Sequence, residues 1–310
     1  MRIALIGQAA FGEAVFKRLV EAGEEIVAVS TIAGTAERPD PLHAAAAAAG
    51  VPIFATGRLK KRDVMDAFAA TKPDLGVMAF VTHILPQAVL DLPPLGTIQY
   101  HPSLLPRHRG INAMHWAIRM GEAETGLSIF WVDAGIDTGP VLLQKRVPIA
   151  PADTVASLYF DKLFALGVDS MAEAVRMVRE GAAPKIAQDE ALATYEPPAD
   201  DANSAIDWSW PGQRVYDLVR GSIPAPGAHA RLGDSLVRFW EARYAPVALS
   251  GAPGTVLSIG ETIDIELAGG VLHAKRLSLD DGKKLAAPEF AEAAALKTGD
   301  RLGNGVATSS

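Results

Sequence analysis

The N-terminal stretch RIALIGQAAFG (residues 2–12) starts with a nearly continuous apolar run and ends in a turn bounded by two glycines. Such a run is typical of a strand buried on both faces of a sheet. Apolar residues then recur at helical spacing through residue 22, which predicts a helix over residues 12–22. The chain therefore opens as a strand, a tight turn and a helix.

Outward from this unit, the same alternation continues to about residue 150. We predict further strands at residues 25–31, 51–54, 75–80, 97–101 and 127–132, and helices at residues 44–49 and 63–70. Alternating strands and helices indicate an α/β fold with a Rossmann-like, mostly parallel sheet and right-handed crossovers.

The second half of the sequence has a different texture. Residues 153–181 predict a long helix with Asp153 as its N-cap. A polar, proline-bearing segment near residues 195–208 is interpreted as a linker, and short strands separated by glycine turns follow. We therefore expect a domain over residues 1–200 and a small C-terminal β-barrel, OB-like domain over residues 201–310.

The composition suits a globular protein outside membranes. The chain has 310 residues, 49% of them hydrophobic, and no apolar run long enough to span a bilayer. It has no cysteine, which excludes disulfides, thiolate catalysis and cysteine-ligated zinc, and no A-x-A-like signal cleavage site, so we expect a cytoplasmic protein. The net charge of -7 weighs against a nucleic-acid partner.

The first glycine turn does not match a nucleotide-binding motif. Gln8 stands where G-x-G-x-x-G needs its second glycine, and Glu13 follows Gly12 where a P-loop has lysine. We therefore expect neither NAD nor ATP there. The histidines and carboxylates also show no spacing typical of a metal site, so no metal cofactor is expected.

Two strings follow predicted strands and contain groups for acid-base chemistry. The first, YHPSLLPRHRG (residues 100–110), includes His101, and the second, DAGIDTG (residues 133–139), includes Asp137. In open α/β sheets, ligands bind beyond the carboxyl ends of strands, so we expect this His and Asp to meet there. The alternative is that His101 is a turn residue bonded to backbone and that Asp137 organises a glycine-rich turn.

These two strings resemble the folate-dependent formyltransferases. That family includes methionyl-tRNA formyltransferase and the N-terminal hydrolase domain of 10-formyltetrahydrofolate dehydrogenase. Local strings at residues 6–12, 40–54, 206–221 and 277–285 look more like the hydrolase domain. The resemblance identifies residues 1–200 as a formyltransferase catalytic domain.

The resemblance implies 10-formyltetrahydrofolate as the formyl donor and His101 with Asp137 as the catalytic pair. His101 donates a hydrogen bond to the formyl oxygen as negative charge builds on it, and Asp137 moves protons. The transferases place an asparagine two residues before this histidine. Gln99 stands there, with an amide one methylene further out, so its part in catalysis is open.

The resemblance also implies a folate pocket. The backbone of His83, Ile84 and Leu85 is expected to contact the pterin, and further contacts are expected from Ser103, Leu104, Leu105, Pro106 and Asp133. Residues 107–109 either meet an anionic part of the ligands or form scaffold and surface charge. His115 and Trp116 are expected to pack within an apolar helix.

The expected function is therefore removal or transfer of the formyl group, with water or a small amine as acceptor. Methionyl-tRNA is the alternative acceptor, disfavoured by the acidic charge and the short loop at residues 33–41. A non-catalytic folate-binding module is a second alternative. A dehydrogenase is not expected, because these 310 residues lack the cysteine that its aldehyde-dehydrogenase portion needs.

Overall fold

The computed structural model describes residues 1–35 and 37–305, which form two compact units. The first unit comprises Met1–Gly110, Gly126–Val147 and Asp161–Tyr195. The second comprises Ile111–Thr125, Pro148–Phe160 and, of the described residues, those from 196 to 305. The boundary at residue 200 stays a prediction.

A seven-stranded sheet forms the centre of the first unit. Its strand order is β3-β2-β1-β4-β5-β6-β7. Strands β1 to β5 pair in parallel, and β6 runs antiparallel to β5, so the predicted mostly parallel Rossmann-like sheet is confirmed. The strands are β1 (Arg2–Gly7), β2 (Glu25–Thr31), β3 (Ile53–Ala55), β4 (Leu75–Ala79), β5 (Thr97–His101), β6 (Glu124–Trp131) and β7 (Val141–Pro148).

Nine α-helices are assigned among the described residues. They are α1 (Ala9–Glu21), α2 (Pro41–Ala48), α3 (Arg62–Ala69), α4 (Gln87–Leu90), α5 (Ala113–Arg119), α6 (Val155–Ser157), α7 (Phe164–Arg179), α8 (Gly212–Arg220) and α9 (Ala287–Ala293). A π-helical turn occupies Leu158–Leu163, between α6 and α7. None of the described helices combines the length and the apolar character that crossing a membrane requires.

The helical region after residue 153 begins differently from the prediction. Thr154, not Asp153, is the N-cap: its hydroxyl accepts from the Ser157 amide at 3.2 Å, and the Ser157 hydroxyl accepts from the Thr154 amide at 2.9 Å. This reciprocal pair is a capping box. The Asp153 carboxylate instead accepts from the Ala150 amide at 2.7 Å, so it organises the preceding turn.

One face of β5 is covered by helices, so its functional side chains lie on the opposite face. The Tyr100 ring packs on the Phe11 ring of α1 with centroids 4.5 Å apart. Gly167 of α7 lies against both rings, and a Cβ atom there would be 2.7 Å from the Tyr100 ring. Because side chains alternate along a strand, Tyr100 uses the helix-covered face, and Gln99 and His101 point to the opposite face.

The second unit is built on a six-stranded antiparallel sheet around a separate core. Five strands follow the order β10-β11-β12-β9-β8, and β13 pairs with β12. Residues 301–303 bridge the edge strand β8 through Arg231 and the segment before β10 through Thr255, which gives the sheet a barrel-like closure. The strands are β8 (His229–Leu232), β9 (Ser235–Pro246), β10 (Val256–Ile259), β11 (Ile263–Leu267), β12 (Gly270–Leu279) and β13 (Leu285–Ala286).

Candidate functional site

The direction of β6 overturns one step of the sequence argument. Because β6 is antiparallel to β5, His101 pairs with Ser128, and Ile98 pairs with Trp131 at the far end of β6. The expectation that the carboxyl ends of these two strands are adjacent is therefore wrong. Local sequence patterns predict a strand without giving its direction.

The loop that follows β6 nevertheless brings Asp137 to His101. The loop, residues 132–140, forms a hairpin closed at its base, where the Trp131 amide donates to the Pro140 carbonyl at 2.9 Å. Gly139 is required at its base, because a Cβ atom there would lie 1.7 Å from the Trp131 carbonyl oxygen. Asp137 adopts a left-handed conformation (φ 55°), which is uncommon outside glycine but tolerated by aspartate. The hairpin thus reaches the face of β5 opposite Tyr100, where His101 lies.

Three predicted residues converge at this point. His101 Nδ1 is 3.5 Å from Asp137 Oδ2, and the two side chains are only 5% and 9% exposed. Gln99 Nε2 donates weakly to Asp137 Oδ1 at 3.4 Å. The Gly110 amide donates to Asp137 Oδ2 at 2.7 Å, a short bond that orients the carboxylate.

The surroundings of His101 show which of its two ring nitrogens already has a hydrogen-bond partner. His101 Nε2 lies 2.7 Å from the His108 carbonyl oxygen, which can only accept, so Nε2 carries a proton. Nδ1 faces the Asp137 carboxylate at 3.5 Å, which is beyond ordinary hydrogen-bond length. It is therefore the ring nitrogen that remains available to a substrate.

Side chains of β6 and β7 hold the proline-bounded loop at residues 102–106 in place. Ser128 Oγ of β6 accepts from the Leu105 amide at 3.0 Å and donates to the Ser103 carbonyl at 2.7 Å. Gln144 Nε2 of β7 donates to the Leu105 carbonyl at 2.8 Å. The Ser103 hydroxyl donates to the Arg107 carbonyl at 2.6 Å, so it serves the loop itself. Leu105 is buried, and Leu104 and Pro106 are half-buried.

The other predicted folate contacts lie on two loops. His83 and Ile84 are exposed and Leu85 is buried, in the loop after β4, the strand that pairs in parallel with β5. Asp133 is exposed, and its Oδ1 accepts from the Gly135 amide at 3.0 Å and the Thr138 hydroxyl at 2.6 Å. Asp133 therefore organises the hairpin that presents Asp137.

The three basic residues after this loop differ in burial. Arg107 is exposed, whereas His108 and Arg109 are buried. Arg109 Nη2 pairs with Glu190 Oε1 at 2.6 Å, and this hydrogen bond raises the pKa of the Arg109 guanidinium and lowers the pKa of Glu190. Of the two readings left open for Arg109, these contacts correspond to scaffold.

Sequence reasoning missed a segment at residues 186–195, here called the cross-loop segment. The Ile186 and Val141 amides and carbonyls pair with each other, and the Thr194 amide donates to the Pro106 carbonyl at 3.2 Å. Gln188 and Glu190 reach Arg109 from this segment. Its sequence, IAQDEALATY, mixes apolar and polar residues without a helical or strand periodicity that would have marked it. In the described part of the chain, no cluster of three or more His, Asp or Glu side chains could hold a metal ion.

Comparison with known proteins shows which family models the sequence matches. Residues 1–175 match the family model described as formyl transferase, and residues 199–295 match the model described as formyl transferase, C-terminal domain.

Curated relatives and a solved structure agree with these matches. The cytosolic 10-formyltetrahydrofolate dehydrogenase of Xenopus tropicalis is 36% identical over 97% of this chain and 35% of its own length. The methionyl-tRNA formyltransferase of Parvibaculum lavamentivorans is also 36% identical, over 97% of this chain and 100% of its own. The crystal structure of HypX from Aquifex aeolicus in complex with tetrahydrofolic acid superposes with a TM-score of 0.68 at 22% identity, over 96% of this chain and 48% of that chain, a likeness of fold. The chain spans about a third of the length of the dehydrogenase it matches.

Proposed function

Because this chain belongs to the formyl transferase family, we propose that it takes the formyl group from 10-formyltetrahydrofolate and passes it to water or a small amine. The observation that supports this most directly is the convergence of Gln99, His101 and Asp137 on one face of β5. A pair of buried acid-base groups beside a loop-lined face is what acyl transfer requires.

The proposed reaction begins with attack by the acceptor on the formyl carbon. The electron pair of the carbonyl bond moves to its oxygen, and the acceptor's O–H or N–H proton goes to the Asp137 carboxylate. His101 Nε2 is held by the His108 carbonyl, so Nδ1 is the nitrogen that donates to the developing oxyanion. When the tetrahedral intermediate collapses, the carbonyl re-forms, the bond to the folate nitrogen breaks, and that nitrogen takes the proton from Asp137. Tetrahydrofolate leaves.

The surroundings suit each proposed role. Asp137 is buried and its carboxylate is already oriented by the Gly110 amide at 2.7 Å, so little reorganisation is needed when a substrate enters. The separation of 3.5 Å between His101 Nδ1 and Asp137 Oδ2 is typical of catalytic pairs before substrate tightens them. The loops after β4 and β5 are the proposed folate-binding walls.

Methionyl-tRNA is the second candidate acceptor, supported by the match to the whole length of a methionyl-tRNA formyltransferase. Against it stands the net charge of -7, since tRNA binding is dominated by neutralisation of phosphates. A non-catalytic folate-binding module is a third reading, but it would have no need of both His101 and Asp137.

One assay separates these candidates. The protein is incubated with 10-formyltetrahydrofolate alone, with charged initiator tRNA, and with small amines, and tetrahydrofolate, formate and formylated products are measured. We expect release of tetrahydrofolate without tRNA. Release only when tRNA is present would indicate the tRNA enzyme, and folate binding with no release under any condition would indicate a binding module.

A further inference from the structure

Gln188 connects the two loops that form the candidate site. Its amide nitrogen donates to the carbonyl oxygens of Asp137 at 2.8 Å and Gly139 at 2.6 Å. Its amide oxygen accepts from Arg109 Nε at 3.1 Å and Nη2 at 2.9 Å. A glutamine amide has two N–H donors and two acceptor lone pairs, so all of its capacity is used. The orientation of the amide is determined, because carbonyls only accept and a guanidinium only donates.

Arg109 is a fixed partner for this amide. Its side chain is 1% exposed, and its guanidinium also donates to both carboxylate oxygens of Glu190 at 2.6 and 2.9 Å and to the Tyr195 hydroxyl at 3.0 Å. Its backbone amide donates to the Thr194 carbonyl at 3.0 Å. Charge-assisted bidentate pairs are stronger than neutral hydrogen bonds and fix the orientation of the guanidinium. The amide of Gln188 is therefore attached to a rigid point.

Asp137 is a residue that needs such a restraint. Its left-handed backbone (φ 55°) is uncommon for a residue other than glycine, and persists where the surroundings hold it. Gln188 holds its carbonyl, and the Gly110 amide, next to Arg109 in sequence, holds its carboxylate at 2.7 Å. Residues 109–110 thus act on Asp137 in two ways: Gly110 holds its side chain directly, and Arg109 holds Gln188, which holds its backbone.

We propose that Gln188 is a positioning residue: its amide N–H groups hold the backbone of Asp137 and so direct the Asp137 carboxylate toward His101. This inference rests on the proposed formyl transfer, because the orientation matters only if Asp137 takes part in it. Gln188 acts through Asp137 and not on the reacting atoms. A glutamine is needed because glutamate has no N–H donors and asparagine is one methylene shorter.

The kinetic test uses two variants and a matched control. Gln188→Met keeps the side-chain length without hydrogen bonds, and Gln188→Glu keeps an acceptor for Arg109 but no donor for the carbonyls. Because a misplacement of about 1 Å can cost about 10²-fold, we expect kcat to fall about 10–100-fold in both, with KM for 10-formyltetrahydrofolate within about twofold. The control Gln213→Met, at an exposed glutamine of α8 that donates to Asp217 at 3.0 Å, is expected to keep the parent kcat.

A second readout does not depend on activity. The Gly110 amide donates to Asp137, so its hydrogen exchange, followed by NMR, reports whether the carboxylate is held. We expect the Gly110 amide to exchange about tenfold faster in both Gln188 variants, while the amides of β1 exchange at the parent rate. If the parent protein releases no tetrahydrofolate while this effect appears, the formyl-transfer function fails and the restraint of Asp137 by Gln188 stands.

Parent-like kcat or parent-like Gly110 exchange in Gln188→Glu would overturn the proposal, because that variant lacks the donors on which it depends. A loss of kcat accompanied by an equal rise in exchange throughout the sheet would also overturn it, since that pattern indicates general destabilisation. If Gln188→Met does not fold, Gln188→Glu, which retains the bond to Arg109, carries the test.

Discussion

Replacing Gln99 by leucine separates two roles for its amide. The amide nitrogen lies 3.4 Å from Asp137 Oδ1, beyond the 2.7–3.2 Å of ordinary N–H···O hydrogen bonds. Removing a weak hydrogen bond of this kind costs about 0.5–1 kcal/mol. Since about 1.4 kcal/mol corresponds to a factor of ten in rate, we expect Gln99→Leu to slow tetrahydrofolate release only about 2–5-fold.

The alternative role for Gln99 predicts a much larger effect. If the amide held the formyl oxygen in the transition state, its loss would cost about 10²–10³ in rate. The assay is single-turnover release of tetrahydrofolate from bound 10-formyltetrahydrofolate, with Gln213→Leu as a glutamine control on the other unit. A loss of about 100-fold or more in Gln99→Leu alone would refute the reasoning and make Gln99 an oxyanion donor.

Three further predictions concern other parts of the chain. Burial, with the nearby Arg119 charge, lowers the pKa of His115 to about 4, so between about pH 4 and pH 6.5 this residue binds more protons in the unfolded chain than in the folded one. We expect His115 to contribute about 2 kcal/mol to the fall in the free energy of unfolding from pH 7 to pH 5, and a His115→Gln variant, followed by denaturant titration, to lose that contribution. Calorimetry should detect no micromolar binding of NAD or ATP at the start of α1, because the Asp40 carboxylate already accepts from the Ala9 amide there at 2.7 Å, and such binding would contradict the motif analysis. Arg109→Met should lower Tm by about 4–8 °C, from about 2 kcal/mol of lost hydrogen bonds, and an unchanged Tm would show that the buried guanidinium does not stabilise the first unit.

The parts of the fold that the sequence predicted are those with strong periodic patterns. β1 and β2 are continuous apolar runs, and the structure buries them on both faces. β7 was missed because its sequence, VLLQKRVP, is neither a continuous apolar run nor a regular alternation of apolar and polar residues, since Gln144, Lys145 and Arg146 follow one another on this half-exposed edge strand. α8 was missed for another reason: its charged residues Asp217 and Arg220 are buried as a pair at 2.7 Å, so polarity did not indicate exposure.

In the candidate site, too, residues within local motifs could be predicted and long-range contacts could not. The two motifs identified His101 and Asp137, and the structure brings them together. The route differs from the expected one, because strand direction depends on long-range pairing that no local pattern contains. Gln188 could not be found in advance, since its hydrogen bonds join three segments that are distant in sequence and leave no periodic signal.

The most direct test of the central claim is the rate of tetrahydrofolate release from 10-formyltetrahydrofolate by the parent protein, His101→Ala and Asp137→Asn. Asparagine is chosen because it tolerates the left-handed backbone at position 137; it removes the charge and replaces one accepting oxygen by an NH2 group. We predict release by the parent protein and a loss of about 10²–10³-fold or more in each variant, with circular dichroism spectra unchanged. Release by either variant at the parent rate would contradict the assignment of the His101–Asp137 pair.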